Sequence, residues 1–402
     1  MKTLAVIPAR YGSVRLPGKP LLDICGKPMI QHVYELVSRV QGLDAVVVAT
    51  DDAHIAEVVQ AFGGKAFMTS PDCRSGSDRV REVAESLSAD IYINVQGDEP
   101  LLEPTAIEKL LAVFIDDAQV QVATLCSRIS ERQARSPHQV KVVCDNTGDA
   151  LYFSRSLIPF VRDDASAPAL FWGHIGIYAY KAAALHLFRQ LPSTLEQLEK
   201  LEQLRFLQAG VPIRVLEVPP MGAGVDTPED LERVRAVFKE RRRADVLKKL
   251  KNIRLVITDV DGVLTDGGLY YGADGESLKR FHARDGLGIK LLQEAGIQVA
   301  VLSGRDCLAL RRRLEDLGVV EAILGQNDKR TVLSGIIERC GVTADETVFV
   351  GDDISDMEAF GLCAVAVTVS DAPDYVRARA DLILERMGGR GAFRELADML
   401  LQ

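Results

Sequence analysis

The sequence predicts two α/β units in series, each built on a mainly parallel sheet with helices on both faces. Three observations carry that expectation. Short apolar runs alternate with helical-period stretches through most of the 402 residues, which is the βαβα rhythm of a sheet covered on both sides. The rhythm appears twice, as LAVIPA, AVVVAT, IYINVQ and VQVATL in one series and RLVITDVDG, QVAVLSGR, AILG and TVFVGDD in another. Between the series lies RVRAVFKERRRADVLKKLK, Arg233 to Lys251, strongly basic and without glycine or proline. It reads as a solvated helix that ends one unit and leads into the next, with phosphate steering as the alternative. The units are expected at residues 1–245 and 246–402 of the chain. No motif recurs between the halves, so they share an architecture and not a tandem repeat.

Within the first series, LAVIPA is a buried opening strand and Met29 to Val40 a helical stretch that separates it from AVVVAT. Composition is that of an ordinary globular chain, with 47% hydrophobic and 26% charged residues and one tryptophan. A net charge of −9 argues against a general nucleic-acid surface and leaves room for local basic pockets. No run of 18 apolar residues appears, so no membrane span is expected. MKTLAVIPAR is too short an apolar stretch for a signal peptide, and Arg10 interrupts it. Seven cysteines, odd in number and without a CxxC pair, read as reduced thiols of a cytoplasmic protein. The six dispersed histidines announce no zinc site.

The loop after the first strand, IPARYGSVRLPGKPL at residues 7 to 21, combines Gly12 and Gly18 with Arg10, Arg15 and Lys19. Ligands of open α/β sheets bind at the carboxyl ends of strands. Backbone amides and cations there suit a triphosphate. The segment is neither a Walker loop nor a GxGxxG turn. In IYINVQGDEPLL, residues 91 to 102, an apolar strand is broken by Gln96, Gly97, Asp98, Glu99 and Pro100, and the two acids at its mouth can hold a hard cation beside a phosphate. In GAGVDTPEDLERV, Asp226 reads either as a second such ligand or as a turn or helix-capping acid.

An ordered series of blocks makes the first unit specific: IPARYGSVRLPGKPL, IQHVYE, VVVATDD, RSGSDRVREV, INVQGDEP, KVV, LYFSRSLIPF, HIGIYAY, LEQLR and GVDTPEDLERV. Over essentially its whole length the unit resembles the cytidylyltransferases of 3-deoxy-manno-octulosonate (KDO), the CMP-KDO synthetases, a Rossmann-like nucleotidyltransferase fold. The resemblance implies that Arg10, Ser13, Arg15 and Lys19 grip the phosphates of CTP and that Ser75, Gly76 and Arg79 hold its cytidine end. It implies Mg2+ on Asp98 and Asp226, and the sugar acid against Gln96, Glu99, Arg155, His174, Tyr178, Glu202 and Gln203. SGSDR stands where the family pattern has SGTER, which preserves the chemical types. For His174, a general base or a core histidine remain alternatives to a substrate contact.

In the second series, ITDVDGVLTDGG at residues 257 to 268 delivers Asp259 and Asp261 to one side of a strand end, because strands repeat every two residues. One carboxylate can attack a phosphoryl group while the other handles the leaving-group proton. Alone a DxD is an ordinary turn. Here Ser303 in VLSGR, Lys329 in QNDKR, and Asp352, Asp353 and Asp356 in VGDDISD follow in order. This four-station pattern resembles the haloacid dehalogenase-like phosphatases. The resemblance implies Asp259 as nucleophile, Asp261 as acid and base, Ser303 and Lys329 on the phosphoryl oxygens, and Mg2+ held among Asp259, Asp261 and Asp352 with the Val260 carbonyl. Asp353 and Asp356 are secondary or alternative ligands.

The core is expected to be capless, with a β-hairpin protruding from DGGLYYGADGESLKRFHAR and turning at Asp274-Gly275. In detail the unit is similar to the KDO 8-phosphate phosphatases, through DVDGVLTDG, FHARDGLGIKLL and GGRGAFREL. That implies a homotetramer in which hairpins assemble centrally and Arg390 reaches a neighbouring active site. The two resemblances together imply KDO 8-phosphate, KDO and CTP as small-molecule substrates in the supply of activated KDO for lipopolysaccharide. The alternatives are a second unit that serves mainly as an assembly module, and another sugar acid in place of KDO.

Overall fold

The computed structural model describes residues 1–12, 16–73, 75–162, 170–222, 224–273 and 275–402. Ser13 and Arg15, expected on the CTP phosphates, and Asp274 of the expected turn lie outside the described residues. The chain forms two compact units, Met1–Phe238 and Lys239–Gln402. The division falls inside the helix Pro228–Leu250, which occupies the basic segment.

The first unit is organised by one sheet. Its strands follow the order Ile213–Glu217, Val122–Ile129, Phe171–Lys181, Ile91–Asn94, Thr3–Ala9, Ala45–Thr50 and Ala66–Met68. Phe171–Lys181 runs antiparallel to both its neighbours on this path, and every other pairing on it is parallel. Lys141–Cys144 pairs with the far end of Phe171–Lys181 and carries Ala150–Ser154 beside it. Because a strand alternates faces, Thr3–Ala9 feeds two cores at once. Ala5, Ile7 and Ala9 pack on one side, against Ile30, Val33 and Ile107 among others. Leu4 and Val6 pack on the other, with Val80, Val83 and Tyr92. The helix expected over Met29 to Val40 runs over Met29–Val37, with Ser38 as its C-cap.

The long antiparallel strand carries an irregularity that matters for the site. Ile175 pairs with Leu125 and Tyr178 with Thr124, so Gly176 and Ile177 bulge out of register. Bulges re-aim side chains near functional sites. Here His174 and Tyr178 end with ring centroids 5.4 Å apart.

The second unit holds a six-stranded sheet, entirely parallel, in the order Glu321–Leu324, Gln298–Ser303, Leu255–Thr258, Thr347–Val350, Val365–Thr368 and Leu382–Ile383. Leu255–Thr258 is buried at every residue, as a central parallel strand must be. Only the helix Leu308–Leu317 and the strand Glu321–Leu324 separate Ser303 from Lys329, which leaves no room for an inserted cap. Tyr270–Gly272 and Gly275–Leu278 pair antiparallel outside the sheet. Leu269, Tyr270, Tyr271 and Leu278 expose between 43% and 67% of their surface there.

Candidate active sites

Two cavities adjoin at the carboxyl ends of the first unit's central strands. One, of about 460 Å³, is lined by Arg10, Lys19, Arg79, Asp98 and Asp226 together with Ser75, Gly76 and Gln96. The other, of about 660 Å³, is lined by His174, Tyr178, Glu202 and Gln203, and again by Ser75, Gly76 and Gln96. The shared residues make the two cavities neighbours with a common wall.

The N-terminus of the helix Gly76–Ser86 forms part of that wall. Ser75 Oγ accepts from the Asp78 amide and Asp78 accepts from the Ser75 amide, both at 3.1 Å. This reciprocal cap fixes the entry of the helix. Asp78 of the SGSDR segment thus completes the cap. Arg79 is 4% exposed and tied on both sides, to Thr69 Oγ1 at 2.5 Å and Asp51 Oδ2 at 2.9 Å. The sequence reading missed those two anchors, although Asp51 lies in the VVVATDD block.

The charged centre of the first cavity is Lys19. Its ammonium donates to Asp98 Oδ2 at 2.5 Å, to the Val225 carbonyl at 2.6 Å and to Asp226 Oδ1 at 3.1 Å. Burial alone would lower the pKa of Lys19; Asp98 and Asp226 outweigh it and raise it. Asp226 does not cap the following helix. Thr227 and Asp230 do so, with Thr227 Oγ1 accepting from the Asp230 amide and Asp230 Oδ2 from the Thr227 amide. Asp98 and Asp226 thus enclose one cation's space, which suits a divalent ion by its donor set and is held by Lys19 here. Glu99 lines neither cavity. Burial, with Asp98 and Asp226 adding to it, pushes its carboxyl up to about 8.

In the second cavity His174 is a neutral ring. Its Nε2 lies 3.0 Å from Thr124 Oγ1, Phe153 stands edge-on at 5.0 Å, and desolvation lowers its pKa to about 3. Such a ring is a weak base. Burial also raises Glu202, against hydrogen bonds from Ser75 and Ser77. Glu202 Oε2 and Gln203 Nε2 are buried without a hydrogen-bond partner among the described residues, as is Asn94 Nδ2. Buried polar atoms of this kind mark places where a ligand completes the bonding. Arg155 lies outside both linings, with its guanidinium donating to the carbonyls of Glu199 at 3.0 Å and Pro137 at 3.1 Å.

The second unit gathers Asp259, Asp261, Ser303, Lys329 and Asp352 around one cavity of about 520 Å³. Each stands at a strand end or helix start of the parallel sheet, the position where such sheets bind ligands. Lys329, 2% exposed, pairs with Asp259 Oδ2 at 2.9 Å and Asp356 Oδ1 at 2.5 Å. Asp356 also accepts from the amides of Asp352 and Asp353. Asp259, Asp352 and Asp356 bring one carboxylate oxygen each to within 4.8 Å of one another. Desolvation first, then the neighbouring carboxylates, raise Asp259 and push Asp352 up to about 8. Asp352 Oδ1 has no hydrogen-bond partner among the described residues. Crowded acids with an orphaned oxygen fit a divalent cation.

Gly262 makes this packing feasible: its φ is +87°, and a Cβ there would stand 1.9 Å from Asp352 Oδ2. Arg390 is exposed and absent from the lining of its own chain's cavity. No described helix is long and apolar enough to cross a membrane.

The comparisons with known proteins follow this division. A cytidylyltransferase family model matches residues 4–214, and a haloacid dehalogenase-like hydrolase model matches residues 282–362. The 3-deoxy-manno-octulosonate cytidylyltransferase of Escherichia coli is 55% identical over 240 residues, which is 60% of this chain and 97% of the relative. A solved CMP:2-keto-3-deoxy-manno-octonic acid synthetase complexed with CTP is 55% identical, with a TM-score of 0.58 over 60% of this chain and all of that one. The cobalt-bound deoxy-D-mannose-octulosonate 8-phosphate phosphatase of Haemophilus influenzae is 55% identical, covering 38% of this chain and 90% of that one at a TM-score of 0.38.

Proposed function

Because the chain belongs to the cytidylyltransferase family, we propose that its first unit couples KDO with CTP to give CMP-KDO and pyrophosphate. We propose that its second unit hydrolyses KDO 8-phosphate, so that one chain carries consecutive steps. The observation that carries the first assignment is the pair of adjoining cavities. One gathers Arg10, Lys19, Asp98 and Asp226, the other sets the rings of His174 and Tyr178 and the buried Glu202 and Gln203 beside Lys200 and Arg205, and Ser75, Gly76 and Gln96 are common to both. A triphosphate in one and a sugar acid in the other would meet at that wall. The sugar hydroxyl releases its proton to solvent as its oxygen bonds to the α-phosphorus, and the bond from that phosphorus to pyrophosphate breaks with the electron pair leaving on pyrophosphate. Arg10, Lys19 and, from the resemblance, Ser13 and Arg15 hold the departing charge. Arg79, with Ser75 and Gly76, receives the cytidine end. Asp98 and Asp226 would hold Mg2+, which lowers the pKa of the attacking hydroxyl and offsets phosphate charge when bound. Lys19 would then leave those carboxylates for the phosphates. Arg155 acts behind the sugar pocket, Glu99 stands behind Asp98 and Asp226, and His174 binds substrate without exchanging protons.

For the second unit, the gathering of five stations in one cavity supports a phosphomonoesterase. Asp259 attacks phosphorus, Asp261 protonates the departing alcohol and then deprotonates water, and Ser303 and Lys329 hold phosphoryl oxygens. Asp259 and Asp352 would hold Mg2+ with the Val260 carbonyl; Asp261, whose Oδ1 is bonded by Lys279, stands outside the cluster of Asp259, Asp352 and Asp356 and is kept for proton transfer. The apolar hairpin residues exposed in one chain favour an added assembly role, a homotetramer formed through this unit. Arg390 would then serve a neighbour's site. The substrates fit a cytoplasmic enzyme.

The test is full-length protein with KDO 8-phosphate, CTP and Mg2+, followed by mass spectrometry. CMP-KDO is expected from the wild type. Asp259→Asn should stall at the phosphorylated sugar and Asp98→Asn at free KDO. Activation of free KDO without phosphate release would leave the second unit as an assembly module, and failure to activate KDO would overturn the sugar assignment.

A further inference from the structure

The hairpin that stands outside the second sheet sends one charged side chain back to Asp261, a residue that lines the catalytic cavity. Lys279 directly follows the strand Gly275–Leu278. Its side chain has no solvent exposure, and its ammonium bonds Asp261 Oδ1. The other charge it meets is Glu276 Oε1, from the same strand, at 3.3 Å. A lysine beside an open cavity of about 520 Å³ ordinarily extends its four-carbon stem to bring the ammonium to water. Lys279 turns inward, and burying that ammonium is tolerated only because two carboxylates face it. The remaining surroundings of Asp261 show what the contact accomplishes. Thr265 Oγ1 lies 3.3 Å from the same Oδ1, whereas Oδ2 is approached by Arg305 Nε at 3.8 Å. One oxygen of the carboxyl is pinned from two sides and the other is left towards the cavity.

We propose that Lys279 is a positioning residue for phosphoryl transfer: it fixes Oδ1 of Asp261 so that Oδ2 meets the ester oxygen of the substrate. The inference rests on the assignment of Asp261 as the acid. In the step concerned, an Asp259 oxygen bonds to phosphorus and the bond from phosphorus to the ester oxygen breaks. The electron pair stays on that oxygen, which takes the proton from Asp261 Oδ2. Asp261, now a carboxylate, then takes a proton from the water that attacks the aspartyl phosphate. That attack breaks the bond to Asp259 and releases inorganic phosphate. A capless core has no separate domain to close over and orient the acid, and the hairpin supplies that contact from within the same unit.

The diagnostic is leaving-group dependence. An alkyl oxygen needs its proton as the bond breaks, whereas p-nitrophenolate departs without one. Steady-state kinetics of the full-length protein on KDO 8-phosphate and on p-nitrophenyl phosphate would compare wild type, Lys279→Met, Lys279→Arg and Asp261→Asn. Lys279→Met is expected to lower kcat on the alkyl ester about 10- to 100-fold, within the usual worth of a positioned acid. KM should hold within about threefold, and the aryl ester should lose less than about threefold on the same reasoning. Lys279→Arg should recover most of the alkyl rate. Should Lys279→Met melt below the assay temperature, Lys279→Gln reads the same ratio, with an intermediate alkyl-selective loss expected. Equal loss on both esters, or a raised KM at unchanged kcat, overturns the role of Lys279. Asp261→Asn separates the premise: if it too loses both esters equally, the assignment of the acid falls and the inference with it. If Asp261→Asn is alkyl-selective and Lys279→Met is not, only the inference falls.

Discussion

The two sites of this chain handle crowded carboxylates in opposite ways. In the first unit Asp98 and Asp226 enclose the ammonium of Lys19, so the protein's own cation balances them. In the second, Lys329 balances Asp259 and Asp356, while Asp352 remains beside them with an orphaned oxygen and a pKa pushed up to about 8. The lesson is electrostatic. On the proposed reading the first site would exchange one cation for another, and metal binding would be coupled to the arrival of phosphates for Lys19 to hold. The second would accept a divalent ion at a third carboxylate, Asp352, that Lys329 does not hold.

The sharpest way to break the comparison is Lys19→Met. Cytidylyl transfer should fall by about 10²- to 10³-fold, the usual cost of one preorganised donor to developing charge. Mg2+ affinity without CTP should instead rise, read by calorimetry as a second binding event beside that of the second unit. Asp352→Asn should remove the nucleotide-independent event expected of the wild type. An unchanged calorimetric trace for Lys19→Met would show that Lys19 does not hold the metal's place.

Gly262→Ala tests how tightly the second site is built. The added methyl would stand 1.9 Å from Asp352 Oδ2 on a backbone with φ +87°. A loss of about 2–4 kcal/mol in stability is expected, from a clash added to left-handed strain. The corresponding first-unit exchange, Gly12→Ala, meets nothing within 4 Å among the described residues and should be nearly neutral. Denaturant melts of the two variants would compare them.

The effect confined to acid pH concerns His174, whose folded pKa is lowered from 6.5 to about 3. Between those values the unfolded chain binds a proton that the folded chain refuses, so stability rises with pH there. The contribution is fully present above pH 6.5 and is lost as pH falls towards 3, by at most about 1.4 kcal/mol per pH unit. His174→Gln should flatten that acid limb relative to wild type. A parallel limb in both proteins would mean that the ring is protonated in the folded state.

Much of the site was legible because its residues stand where a local rule puts them. Asp98 and Glu99 follow an apolar run, and Asp259 and Asp261 follow another, so strand period and strand length alone bring them to a sheet edge. The ambiguity of Asp226 was not resolvable in the same way. Thr227 and Asp230 also satisfy a capping pattern, and only the fold shows that they take that task and leave the Asp226 carboxylate to Lys19. Lys279 escaped notice because a lysine after a hairpin strand has the pattern of an ordinary exposed cation.

By itself, then, the sequence determined the two α/β units, the order of their strands' acidic ends and the kinds of groups available for phosphate chemistry. These depend on periodicity and turn chemistry within a few residues. The tertiary structure alone decided which charge neutralises which. Lys19 meets acids 79 and 207 positions away, and Lys329 meets one 27 away. Such pairings follow from which strands become neighbours in a sheet, and in a low-dielectric cleft a shift of a few ångströms decides whether a carboxylate holds a lysine, a metal or a proton.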